Sequence, residues 1–92
     1  VPRPPQTLAQ RWLRAVYAAK CSPAQAHTLA AYACYLTSAG TVQVDRQTIV
    51  DMTGRPAGKV REHVTAAIKM GLLTVDAPAA PGRPTRYRAL LP

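Results

Sequence analysis

Phenylalanine is absent from this 92-residue chain, tryptophan occurs once, and four acidic residues stand against twelve lysines and arginines. Each shortage excludes something. Without Phe, a core must be assembled from Leu, Val, Ile, Ala and Tyr, so helices have to approach closely through small side chains. The four carboxylates are scattered over Asp45, Asp51, Glu62 and Asp76, and no pair has the spacing of an acid/base site. No glycine-rich loop with a Walker lysine occurs, and Ser22 and Ser38 have no evident base. No apolar run approaches the roughly 20 residues that cross a bilayer. Cys21 and Cys34 fit free thiols in a reducing cytoplasm better than a disulfide framework. With His27 and His63 they complete the soft metal ligands, and their spacing matches no zinc pattern. Cys34 is expected as a small core residue and His63 as a satisfied structural histidine. No enzyme activity, cofactor, metal, membrane or small-molecule substrate is therefore expected.

What is present points elsewhere. The length suits one domain with a modest core. The net charge of +8 favours polyanionic partners. No signal peptide is visible in the proline-rich opening "VPRPPQ", and a start at Val1 suggests a piece of something longer. Residues 1–6 should be an extended lead-in, because three of the first five are proline.

From Thr7 to about Lys20, Leu8, Trp12, Ala15, Val16 and Ala19 recur at helical spacing. Arg11, Arg14 and Lys20 fall outside that stripe as a basic, solvated side. A second helix should start at Ser22, with Pro23 in its first turn and Gln25 completing a capping box. It should run to about Ser38 and stop before Gly40. Its inner stripe is Ala26, Leu29, Ala30, Ala33, Leu36 and Thr37, with Tyr32 and Tyr35 towards the edges. "TVQVD" alternates as a very short strand. Asp45 should cap a helix over 46–53 that buries Ile49, Val50 and Met52, and Gly54 should end it. The next helix, from Ala57 to Met70, starts near Pro56 and stops at Gly71. "LLTVD" and "TRYRALL" read as two strands of a hairpin around "APAAPGRP". The fold class is mainly α with a small β-hairpin, that is, α+β.

The helix from Ala57 carries the functional signal. At about 100° per residue, Val60, Val64, Ala67 and Ile68 cluster towards the core. Gly58, Glu62, Thr65 and Lys69 line the opposite side, flanked by Lys59, Arg61 and Ala66. Small and hydrogen-bonding residues on that side suit a major groove about 12 Å wide. Arg61 and Lys59 can reach phosphates or guanine edges. Glu62 can accept from cytosine N4, and Thr65 can touch a thymine methyl. Arg46, Gln47 and the amides beside them form a helix start that can take a phosphate.

"DRQTIVDMTGRPAGKVREHVTAAIKMGLL" (45–73) resembles the core of winged helix-turn-helix domains. "GRPTRYRALLP" (82–92) is similar to the end of such domains in plasmid and phage replication initiators and small bacterial repressors. The resemblance covers about Pro23 to Leu91. It divides the chain into the lead-in 1–6, an N-terminal helix 7–22 and the domain 23–92. Arg55 stands where an apolar residue usually follows the turn glycine, and Pro56 replaces the usual Ser or Thr cap. The resemblance implies double-stranded DNA binding, with helix 57–70 in the major groove and a basic wing, 77–86, alongside. "PGRP" resembles an element that lays an arginine, here Arg83, in an A·T-rich minor groove. The implied contact set is Arg46, Gln47, Arg55, Ala57, Gly58, Lys59, Arg61, Glu62, Thr65 and Lys69, with Arg83 and Arg86 from the wing. Replication initiation or transcriptional control of a bacterial plasmid or phage is the implied setting, in the cytoplasm at the nucleoid. A homodimer through the N-terminal helix is a further expectation. The alternative is a winged helix that binds another protein in a larger complex. RNA binding is disfavoured because no exposed aromatic stacking platform is evident.

Overall fold

Local signals set the element order, and a computed structural model describes it over residues 7–91. The expected lead-in 1–6 lies outside the described residues. Helix α1 (Leu8–Ala18) is followed by α2 (Pro23–Ala33), strand β1 (Thr41–Gln43), α3 (Arg46–Thr53), α4 (Ala57–Lys69), β2 (Leu73–Ala77) and β3 (Arg86–Ala89). The result is an α+β fold of four helices and one antiparallel sheet ordered β1-β3-β2. β2 and β3 make the expected hairpin. β1 docks on the other edge of β3, pairing Val42 with Tyr87.

The core is one cluster, and α1 belongs to it. Trp12 and Val16 are buried with Leu29 and Tyr32 of α2, Ile49 of α3, Val60, Val64 and Ala67 of α4, and Leu72 and Leu73. The indole Nε1 of Trp12 donates to the Leu72 carbonyl at 2.9 Å, tying the first helix to the entry of β2. Tyr32 meets Tyr87 edge-on, ring centroids 6.2 Å apart, which joins α2 to the sheet.

Several local expectations yield to tertiary contacts. Ser22 does cap α2, its Oγ accepting from Gln25 N at 3.2 Å. The Gln25 side chain, however, does not return to complete a box. It is buried against α4, where its Nε2 donates to the His63 carbonyl at 3.5 Å and to Met70 Sδ at 3.6 Å. The reciprocal box sits one helix earlier, at Thr7 and Gln10. α2 ends at Ala33, short of Ser38. A closed ring of bonds between Thr37 and Thr41, including 3.0 Å between their hydroxyls, turns the chain into β1 instead. Thr28 joins the buried face of α2, and Tyr32 lies inside it and not at its edge. Cys34 is exposed at the C-cap of α2, so it is not a core residue.

α3 spans 46–53 as expected, and Asp45 occupies its N-cap position without a side-chain cap bond. Gly54 ends it at φ +70°, a left-handed conformation that costs an L side chain about 1 kcal/mol or more. Of the three apolar residues assigned to its inner face, Ile49 is fully buried and Val50 half-buried, whereas Met52 is 45% exposed. α3 packs on α2 and α4 through Ile49, and Val50 and Met52, on either side of it around the helix, are only partly covered. Ile68 of α4 likewise leaves the core, 37% exposed. The hairpin stands beside that part of α4 but does not close over it.

Candidate functional site

Two exposed surfaces carry the candidate residues: the outer side of α4 and the tip of the β2–β3 hairpin. On α4, Val60, Val64 and Ala67 turn inward. Ala57, Gly58, Lys59, Arg61, Glu62, Thr65 and Lys69 are all exposed. A Cβ added at Gly58 would meet nothing within 4 Å, so this part of the helix surface is unobstructed. Lys59 Nζ donates to Glu62 Oε2 at 3.3 Å, one turn along the helix. Both side chains are mostly solvated, so that pair is worth little and yields readily to another partner. At the start of α3, Arg46 and Gln47 are exposed, and Gln47 Nε2 donates to Asp51 Oδ1 at 2.8 Å.

The hairpin divides its arginines. Ala80 and Arg83 pair through both backbone bonds around Pro81 and Gly82, and Gly82 lies at φ +74°. Proline followed by a positive-φ glycine is the combination a type II turn requires. The turn lifts Arg83 to the exposed tip, and among the described residues its guanidinium has no hydrogen bond or ion pair. Arg86 and Arg88 are differently placed. The register shifts between Val75 and Ala77, which leaves Asp76 as an extra residue in β2. Its carboxylate sits between the two arginines: Arg86 Nε donates to Oδ2 at 2.6 Å, and Arg88 Nη2 to Oδ1 at 3.0 Å. These bonds, with Arg88 first, hold the Asp76 carboxyl below its ordinary value. Arg86 is therefore exposed but already paired. Asp76 was not among the residues singled out in the sequence, because its partners lie ten and twelve positions away.

Arg55 is half-buried in the turn between α3 and α4, and its Nε is covered without a hydrogen-bond partner. It lies near His63, whose Nδ1 is 2.8 Å from the buried Thr28 hydroxyl. Burial first, then Arg55, pushes the His63 pKa below its ordinary 6.5. The unfolded chain consequently binds a proton more readily than the fold does. Stability is expected to be level above pH 6.5 and to fall as the pH drops from there through the depressed folded value. Urea unfolding at pH 7.5 and pH 5 measures this, and His63→Gln should remove that step.

Between α4 and the hairpin lies a crevice that the sequence did not announce. Arg61, Thr65 and Ile68 of α4 form one wall, Val75, Thr85 and Tyr87 of the hairpin region form the other, and Tyr32 and Arg46 also line it. Burial drives the Tyr32 phenol up to about 12, with Tyr87 adding to the shift and Arg46 opposing it. No local pattern in the sequence announces the crevice, because its lining comes together from α2, α3, α4 and the hairpin region.

The apolar side of α1 is used within the core. Tyr17 remains as its large exposed hydrophobe, beside exposed Arg11 and Arg14. Among the described residues no helix is long and apolar enough to cross a membrane, and no group of three or more His, Cys, Asp or Glu can hold a metal ion. Compared with protein-family models, with curated proteins and with solved structures, the chain finds no match.

Proposed function

We propose that the chain is a winged helix-turn-helix domain that binds double-stranded DNA with sequence preference. In this reading α3 and α4 are the helix-turn-helix, α4 enters the major groove, and the β2–β3 hairpin is the wing. The observation that carries it is the unobstructed ridge of Gly58, Glu62 and Thr65, with the cations Lys59, Arg61, Lys69 and Arg46 grouped about it. Four positive side chains beside a slender helical surface match a duplex better than they match a neutral protein. Arg83, free at the wing tip, reaches the adjacent backbone or minor groove. Arg86 plays a lesser part, because Asp76 competes for it. The setting suggested by the sequence resemblance is replication initiation or transcriptional control of a bacterial plasmid or phage.

A gel shift with random-sequence duplex at low salt tests the reading, followed by selection of preferred sites from a random pool. Retarded duplex is expected. Its absence at low salt rejects the proposal in favour of a winged helix that binds protein. On a selected site, Arg61→Ala is expected to weaken binding by about tenfold and to relax preference at one base position, the loss of one good base contact. Arg83→Ala should lower affinity by a smaller factor while leaving the preferred major-groove sequence unchanged. A selected logo unchanged by Arg61→Ala removes that residue from base recognition.

A further inference from the structure

Resting on the DNA reading above, we propose that the crevice between α4 and the hairpin seats one sugar-phosphate unit of the duplex strand that separates the two grooves. The geometry leads there first. A major groove and its neighbouring minor groove are divided by a single backbone strand. If α4 occupies one groove and the hairpin tip the other, that strand has to cross between them, over the crevice.

The lining has the matching chemistry. Arg46 and Arg61 supply positive charge, and no aspartate or glutamate lines the crevice. Tyr32 is only 4% exposed, but it lines the crevice near Arg46, and its hydroxyl makes no hydrogen bond among the described residues, which leaves it to donate to a phosphate oxygen that enters the crevice. Ile68 and Val75, from opposite walls, are 37% and 49% exposed. Two partly exposed apolar side chains lining a cationic cleft suit the carbon faces of a deoxyribose better than they suit water. The crevice, about 230 Å³, is smaller than the pockets of about 300 Å³ and upwards that take whole drug-sized ligands. That size favours one unit of a continuous strand over a free ligand.

The sequence offers a clean probe. The chain has two isoleucines, Ile49 in the core and Ile68 at the crevice. With ¹³C-labelled isoleucine methyls, adding duplex DNA should shift the Ile68 signal and leave Ile49 in place. Nuclear Overhauser contacts from Ile68 to deoxyribose H4′ and H5′ protons should appear. Tyr32→Phe keeps the ring that packs on Tyr87 and removes only the hydroxyl. It should weaken duplex binding by about tenfold or more, in line with one charge-assisted hydrogen bond. Should duplex be retarded in the gel while Ile68 makes no sugar contacts, or while Tyr32→Phe binds as tightly as the original, the crevice proposal fails and DNA binding stands. If no duplex is retarded, both fail. A deoxynucleoside monophosphate that alone shifts Ile68 as strongly as duplex does also overturns the proposal, making the crevice a mononucleotide site.

Discussion

Trp12→Ala is expected to destabilise the fold by about 3–5 kcal/mol, the usual cost of truncating a buried tryptophan. The indole is 1% exposed and packs in the same cluster as residues from α2, α3 and α4. A domain of this size has about 5–15 kcal/mol in all, so the variant should lie near or past its unfolding threshold. Most of the cost is cavity and lost apolar contact. The Leu72 carbonyl, which accepts from the indole, also accepts from Leu90 N at 2.9 Å and keeps that partner. Trp12→Phe, which forfeits the bond but retains much of the ring volume, should accordingly cost far less. Urea melts followed by circular dichroism measure both, since the alanine variant has lost its only tryptophan fluorophore. An alanine variant with an unchanged midpoint would contradict the role of α1 as part of the core. Trimming the chain to 23–92 would remove Trp12 and Val16 and expose the core that they cover.

Duplex affinity is expected to fall about 150-fold between 50 and 200 mM salt. Arg46, Lys59, Lys69 and Arg83 are exposed on the proposed face, and Lys59 has only its weak pair with Glu62, while Arg61 is assigned to a base edge. Four phosphate contacts at about 0.9 each give a log–log slope near −3.6. Arg86 and Arg88 are left out of this sum because Asp76 already holds them. Asp76→Asn should release both arginines, raise affinity at low salt and steepen the slope by up to about 1.8. It should do so with poorer discrimination between sites, since phosphate contacts position a protein but carry no sequence information. Fluorescence anisotropy over a salt series reads both chains. A flat series for the original chain would remove the electrostatic basis of DNA binding. An unchanged slope for Asp76→Asn would mean that the outer side of the hairpin never reaches the duplex.

Local chemistry made much of the architecture readable. Gly54 marked the end of α3, the proline-glycine turn marked the hairpin, and the Val60–Val64–Ala67 spacing marked the inward side of α4, with Gly58, Glu62 and Thr65 left outside. Each of these rests on neighbours within a turn or two of chain, where backbone preference and periodicity decide. Where a residue had to choose between a local partner and a distant one, the sequence misled. Gln25 looked like a cap and became a strut to α4, and the apolar run through Leu36 hid the end of α2. Ile68 and Met52 had the right spacing for the core, but there was not enough protein opposite to cover them.

The composition, the order of the helices and strands, and the exposed ridge on α4 were determined by the sequence alone. Tertiary structure decided which cations are free, that β1 pairs with β3, and that a crevice opens beside α4. The reason is physical. Ion pairing and burial depend on which groups meet in space, and Asp76 meets Arg86 and Arg88, as Tyr32 meets Tyr87, only after the sheet has formed and docked on the helices.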